Sequence, residues 1–325
     1  MDTCVEYLGL KISSPIVAGS CSLTMDIDKL RKLEDAGVGA IVLKSIFEEQ
    51  IIYDIKKNTH VLTPIGNYGK SYEYVEKHVK EDALEKYFEH IRQAKEQIKV
   101  PIIGSINCYT HENWITYAKK FVDAGCDALE LNIDILPYET SLSCDDVDRT
   151  FGDIVRTLRK VADIPVGIKV GHYFTDMAKF MQQLSWMGVQ GITIFNKAPH
   201  LDIDLENETL KEASFLSAPE ELGDTLMWVS VLKNKLRCDI TASTGVYTAD
   251  DVVKLILAGA SAVQVVSCLY KNGVEYVKDL NDGLKAWMQK RGYEHVDDFK
   301  GKLAMKKNEI TSMMRTIYMK EMGGL

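Results

Sequence analysis

Lys169 stands inside an apolar run, Val166-Gly167-Ile168-Lys169-Val170, and Lys44 directly follows Ala40-Ile41-Val42-Leu43. An ammonium withdrawn from water is costly unless an anion or a hydrogen-bond acceptor meets it. Other polar residues close similar runs. Asn132 follows Ala128–Leu131, Asn196-Lys197 follows Gly191–Phe195, and Ser243-Thr244-Gly245 follows Asp239–Ala242. Ser267 follows Ala262–Val266. A Ser-Thr-Gly turn ahead of a capped helix, beside a run ending in Ser, has the make-up of a phosphate cradle, in which backbone N–H groups hold the anion. Each residue has a plainer reading alone: a surface lysine with its stem laid along apolar neighbours, or an asparagine in a turn. Together, two lysines, two asparagines and an anion cradle point to one mouth.

That mouth needs elements whose ends converge. The junction Ala36-Gly37-Val38-Gly39-Ala40-Ile41 returns as Ala124-Gly125-Cys126-Asp127-Ala128-Leu129, as Met187-Gly188-Val189-Gln190-Gly191-Ile192 and as Ala258-Gly259-Ala260-Ser261-Ala262-Val263. In each, glycine supplies the left-handed conformation that ends a helix, and small residues lead into a strand. Continuous apolar runs joined by helical crossovers are the pattern of buried parallel strands. The expected strands are Pro15–Ala18, Ala40–Leu43, Pro101–Ile106, Ala128–Leu131, Pro165–Val170, Gly191–Phe195, Asp239–Ala242 and Ala262–Val266. Between them, Trp114, Tyr117, Ala118, Phe121 and Val122 share one helical face, and Thr248 and Asp251 have capping-box spacing. About 250 residues separate the first strand from the last, the usual size of a (β/α)8 barrel, whose reacting groups lie at the C-terminal ends of its strands. A doubly wound sheet is the alternative, but its GxGxxG turn after an early strand is absent.

No Pro-, Gly- or Ser-rich linker interrupts the 325 residues, so one α/β domain is expected over 1–325. It has an excursion over about 45–100 that includes a helix Tyr72–Ile98, and a Met- and Lys-rich tail over about 302–325, a helix packed on the barrel or on a partner. A net charge of −8 argues against a nucleic-acid partner. Seven cysteines, an odd number with no CxxC pair, argue against a disulfide framework or a metal site and for a reducing cytoplasm. No basic leader and no long apolar stretch opens the chain, so neither a signal peptide nor a membrane span is expected.

The strand-end residues resemble those of the dihydroorotate dehydrogenase family of FMN-dependent barrels, and of the corresponding domain of dihydropyrimidine dehydrogenase. The likeness runs from Val5-Glu6-Tyr7-Leu8-Gly9-Leu10 to Asp297-Asp298-Phe299-Lys300-Gly301. It is strongest in Ser14–Ser20, Ile41–Ser45, Ile103–Cys108, Ala128–Asn132, Ile168-Lys169 and Ala258–Val265. The resemblance implies a (β/α)8 barrel, an FMN cofactor and oxidation of dihydroorotate to orotate in pyrimidine biosynthesis. It implies that Ala18, Gly19 and Ser20 pass along the FMN, and that Lys44 and Ser45 lie by the ring and substrate. Asn132 and Asn196 hold the pyrimidine or the flavin edge, Lys169 steadies the reduced flavin, and Ser217 lies near the cofactor. Thr244, Gly245, Val266 and Ser267 form the phosphate cradle. A homodimer is among the assemblies it implies. The electron acceptor is left open among fumarate, NAD through a partner subunit, and quinone, and the lack of a hydrophobic N-terminal extension argues against the membrane-quinone type.

The substrate half departs from the family pattern. Where the family carries Asn-x-Ser-Cys-Pro-Asn, with the Cys or a Ser as base, this chain reads Asn132-Ile133-Asp134-Ile135-Leu136-Pro137-Tyr138. Isoleucine cannot take a proton. Asp134, one residue earlier, and Cys144, further along the loop, are the candidate bases, although Ser143-Cys144-Asp145 also reads as a helix cap. Asn67 stands in for the family's substrate-binding asparagine after strand two. Thr244 replaces a cradle glycine, Lys197 replaces a Ser or Thr, and His172-Tyr173 replaces Pro-Asn. Two other functions remain open: a relative that binds FMN but acts on another substrate or lacks this turnover, and a non-redox phosphate-binding lyase or isomerase using Lys44 or Lys169.

Overall fold

The computed structural model describes residues 1–48, 84–108, 111–135, 140–198, 200–306 and 310–323. A hairpin of β1 (Val5–Tyr7) and β2 (Leu10–Ile12) leads into β3 (Ile16–Ala18), α1 (Ile27–Asp35), β4 (Ala40–Val42) and the short β5 (Ile46–Phe47). Then come α2 (84–97), β6 (Ile102–Asn107), α3 (His111–Asp123), β7 (Ala128–Asn132), α4 (Cys144–Leu158), β8 (Val166–Val170), α5 (Met177–Trp186) and β9 (Gly191–Ile194). A second hairpin, β10 (Leu201–Asp204) and β11 (Thr209–Glu212), precedes α6 (Leu222–Leu232), β12 (Asp239–Ala242), α7 (Ala249–Ala258) and β13 (Ala262–Val265). The chain continues through α8 (Ser267–Asn272), α9 (Val277–Arg291) and α10 (Ile310–Gly323).

The strands β3, β4, β6, β7, β8, β9, β12 and β13 pair in parallel in that order, and β13 returns to β3, which closes the barrel. All eight expected runs are barrel strands, with ends that differ by at most one residue. Each of the four junction glycines has positive φ: +85° at Gly37, +89° at Gly125, +84° at Gly188 and +125° at Gly259. The small residue is therefore required by backbone conformation. Thr248 caps α7 in a capping box with Asp251, as its spacing implied, and Ser143 does the same for α4 with Asp146. On α3, Trp114, Tyr117, Ala118 and Phe121 are buried. Burying one such large apolar side chain contributes about 1.5–3 kcal/mol.

The two hairpins were not anticipated. The first closes the N-terminal end of the barrel. Its Leu8 N–H donates to Asp239 Oδ2 at 2.9 Å, and a Cβ on Gly191 would come within 2.5 Å of Leu8 Cδ2. The second exposes Leu201, Ile203 and Leu210. The tail is helical as α10 and exposes Met313, Ile317, Tyr318, Met319 and Met322. Of the excursion, β5 and α2 fall among the described residues. Asn67 and the first turns of the expected helix Tyr72–Ile98 lie outside them. Among the described residues no helix is long and apolar enough to cross a membrane. Among the described residues no disulfide joins any of the cysteines.

Candidate active site

Two cavities lie at the C-terminal ends of the strands and share Ser20, Cys21, Ser22, Lys169, Asn196 and Lys197 in their walls. One, of ≈ 310 Å³, extends toward Ser217, Thr244, Gly245, Val266 and Ser267. The other, of ≈ 280 Å³, extends toward Lys44, Ser45, Phe47 and Asn132. Most of the sequence-derived residues thus line these two adjoining cavities, one reaching the Ser217–Ser267 end and the other the Lys44–Asn132 end.

The cradle end is built from β12, β13 and the segment before α6. Ser217 Oγ lies 3.0 Å from Ser267 Oγ, which also accepts from the Ser217 N–H at 3.0 Å. The Gly245 N–H donates to Ser217 Oγ at 3.1 Å, and Tyr247 OH donates to the Ser217 carbonyl. Gly245 has φ +78°, and a Cβ there would lie 2.3 Å from the Leu222 nitrogen. Thr244, where the family has glycine, also has positive φ, +82°. That conformation is costly for a β-branched residue, and the Thr244 hydroxyl offsets part of the cost by donating to the Phe195 carbonyl at 2.8 Å. Ser22, Phe215 and Tyr270 form the outer wall. Ser22 Oγ and Tyr270 OH are 2.6 Å apart.

At the other end Lys44 is half-buried, with its ammonium 6.0 Å from the centre of the Phe47 ring. Ser20, Ser45 and Ser105 form a chain of hydroxyls, 3.1 Å and 2.7 Å apart, that ties the loop after β3 to β4 and β6. Asn132 and Lys169 sit side by side in register on β7 and β8. Asn132 is 7% exposed, and its Oδ1 has no hydrogen-bond partner among the described residues. Lys169, 6% exposed, donates to Gln264 Oε1 at 3.2 Å. Lys197 pairs with Glu221. Burial alone would raise the Glu221 carboxyl, but Lys197 and the Ala218 N–H outweigh it and hold its pKa below the ordinary value.

Ala18 and Gly19 run beside the cleft without forming its wall. Gly19 N–H donates to the Val265 carbonyl at 3.0 Å, and a Cβ on Gly19 would lie 2.7 Å from Val266 Cγ2. The two candidate bases stand outside the residues that line the cavities. Asp134 is exposed on the rim after β7, although neighbouring atoms crowd it enough that desolvation raises its pKa. Cys144 is exposed at the start of α4, 3.2 Å from Thr175 Oγ1. Ile135 is half-buried against the core. His172 packs on the Phe195 ring, with centroids 3.9 Å apart, and partial burial lowers its pKa against the pull of Asp224 and Glu221.

Several wall residues escaped the sequence reading. Gln264 carried the same signal as Lys169, a polar side chain inside a buried apolar run. Cys21, Phe215 and Tyr270 carried none, because only the closed barrel brings their loops together.

Comparison with known proteins accords with this geometry. The family model described as dihydroorotate dehydrogenase matches residues 78–288. The catalytic subunit of dihydroorotate dehydrogenase B (NAD(+)) from Thermoplasma acidophilum is 26% identical over 312 residues, which is 92% of this chain and 98% of that protein. The same subunit from Pyrococcus abyssi is 26% identical over 314 residues, covering 93% and 99%. A putative dihydroorotate dehydrogenase A (fumarate) from Aeropyrum pernix is 23% identical over 308 residues, covering 91% and 96%. With the model spanning most of the barrel and the strand-end residues gathered in one cleft, the chain belongs to the dihydroorotate dehydrogenase family.

Proposed function

We propose that the chain is an FMN-dependent dehydrogenase that oxidises dihydroorotate, or a close pyrimidine-like relative, as a single barrel domain in pyrimidine biosynthesis. The observation that carries this reading is the cleft itself, where buried Lys169 lies between a cradle of Ser217, Gly245 and Ser267 on one side and Asn132 and Lys44 on the other. The residues fit FMN. Among the described residues Asn132 Oδ1 lacks a partner and the only hydrogen bond of Lys169 is to a neutral amide oxygen, so an acceptor-seeking ammonium and a free carbonyl oxygen face the cleft together.

FMN, when bound, supplies the ring that accepts a hydride. Ser217, Gly245, Val266 and Ser267 hold the phosphate, with Thr244 shaping the turn. Ala18, Gly19 and Ser20 run along the cofactor, and Ser45 fixes Ser20. Lys169 offers its ammonium where negative charge collects on reduction. Lys44, Asn132 and Asn196 orient the substrate, and the sequence adds Asn67, outside the described residues, to that role. A protein base would take the C5 proton of dihydroorotate, and bound FMN would supply the acceptor for the C6 hydride, so that the double bond of orotate would result.

The base is the point at which a second reading gains support. With Ile135 at the family's base position and Asp134 and Cys144 on the rim, a related ring other than dihydroorotate fits the same FMN half of the site. Cys21 is the titratable thiol in the wall of both cavities, and we take it as the acceptor that the geometry adds to Asp134 and Cys144. The names of the B-type relatives support a partner subunit that passes electrons on, and the exposed apolar faces of β10–β11 and α10 are compatible with an assembly such as a homodimer. A cytoplasmic location fits this reading.

The test is an absorption spectrum of the purified protein followed by anaerobic addition of dihydroorotate. A flavin band that bleaches supports the reading. A band that persists retains the cofactor and overturns the substrate.

A further inference from the structure

Gln264 forms part of the cleft floor, and beneath it lies a layer of buried polar side chains. Glu130 on β7, Gln264 on β13 and Tyr7 on β1 are each 1% exposed. Polar groups at this depth are costly unless their hydrogen bonds are made. Gln264 joins the layer to the site. Its Oε1 accepts from Lys169 Nζ at 3.2 Å, and its Nε2 donates to Glu130 Oε2. The same Glu130 oxygen accepts from Thr193 Oγ1 at 2.9 Å, and Thr193 is the register partner of Lys169. The Tyr7 hydroxyl lies among Thr241, Gln264 and Glu130, and burial, reinforced by Glu130, holds its pKa well above the ordinary tyrosine range.

The two ends of a carboxamide are alike in shape and opposite in hydrogen-bonding sense. Turned over, Gln264 would face the Lys169 ammonium with an N–H donor and Glu130 with a carbonyl oxygen, and both bonds would be lost. Glu130 thus holds Gln264 from below in the one orientation that presents its oxygen to the lysine. We propose that Glu130 is a positioning residue: acting through Gln264, it fixes Lys169 at the cleft floor and so sets the balance between the reduced and oxidised forms of bound FMN. The proposal rests on the FMN reading of the cleft.

A direct electrostatic effect of Glu130 has the opposite sign. Negative charge near the ring disfavours reduction, so removing a bare charge would strengthen binding of reduced FMN. Loss of positioning would weaken it.

The experiment is a reductive titration of bound FMN in the wild type, Glu130→Met, Gln264→Met, the double variant and Glu130→Gln, with FMN content checked by absorbance. Glu130→Met and Gln264→Met are each expected to weaken reduced relative to oxidised FMN binding at least about tenfold, about 30 mV for a two-electron couple. The double variant should go no further than either single change, because both act along one path. Glu130→Gln, which keeps an acceptor oxygen, should restore most of the wild-type potential. An unchanged or raised potential in Glu130→Met, or effects that add in the double variant, would overturn the proposal. Should Glu130→Met not fold, the double variant leaves no unpaired polar group at these two positions and is compared with Gln264→Met alone. A match supports the proposal and a further drop contradicts it. Wild-type protein that holds no FMN contradicts the functional reading instead, and its untreated spectrum separates the two failures.

Discussion

Cys21 is the base proposed for the cleft. Burial pushes its thiol pKa up, while Lys169 and the backbone N–H groups of Leu23 and Thr24 pull the other way. A raised pKa leaves less thiolate at neutral pH, so a reaction that uses it as base speeds up as pH rises. Reduction of bound flavin by substrate is therefore expected to climb through the neutral range without levelling off below about pH 8.5, the ordinary thiol value. Stopped-flow rates across pH would check this. Cys21→Ala should lower the rate at least about 100-fold, the usual minimum for losing a general base. Asp134→Asn and Cys144→Ala should leave it near the wild-type value. Abolition by Asp134→Asn, with Cys21→Ala unaffected, would return the role to the rim carboxylate. The residue scale is also where the sequence is most uneven as a guide. Lys169 announces itself because apolar neighbours surround it, and Glu130 and Gln264 carry the same mark. Cys21 has polar neighbours in a loop, and nothing local says that this loop faces Lys169.

The elements were more legible than the residues they carry. Each junction glycine is fixed by a left-handed backbone, a local requirement that a sequence displays directly. So are the capping boxes at Ser143 and Thr248. The hairpins β1–β2 and β10–β11 were missed because their strands are three or four residues long, and too few side chains alternate to set a period. Asn67 lies outside the described residues, so its place in the substrate half stays a sequence-based expectation. The turn after β12 supplies the prediction at this scale. A Cβ on Gly245 meets backbone atoms of Leu222 at 2.3 and 2.7 Å, and its positive φ adds roughly 1–2 kcal/mol for any L side chain. Gly245→Ala should destabilise the protein by more than that conformational cost and sharply weaken FMN binding. Thr248→Ala, which removes the cap of α7, should cost about 1 kcal/mol in stability with a much smaller effect on FMN. Equilibrium unfolding and FMN titration of both variants test the contrast. Equal losses of FMN affinity would mean that the whole α6–α7 region, and not the turn, governs binding.

At the scale of the molecule, the barrel was legible because one physical pattern repeats: an amphipathic helix, a glycine, a buried strand. The closed ring then does what no single element signals, bringing residues from 20 to 270 to one end. A ligand that spans such a cleft ties opposite sides of the barrel together. It stabilises the folded state by the free energy of binding, about 2.7 kcal/mol at 100 times its dissociation constant. Protein stripped of FMN should therefore melt several degrees lower than protein resupplied with it. Equal melting temperatures at saturating FMN would deny that the cleft binds it. The most direct test of the whole account remains anaerobic mixing of the purified protein with dihydroorotate while the flavin absorbance is followed. The account predicts a flavin band at the outset that bleaches as orotate appears in equal amount. A protein with no flavin band even after incubation with FMN, or a band that dihydroorotate leaves unchanged, would contradict it.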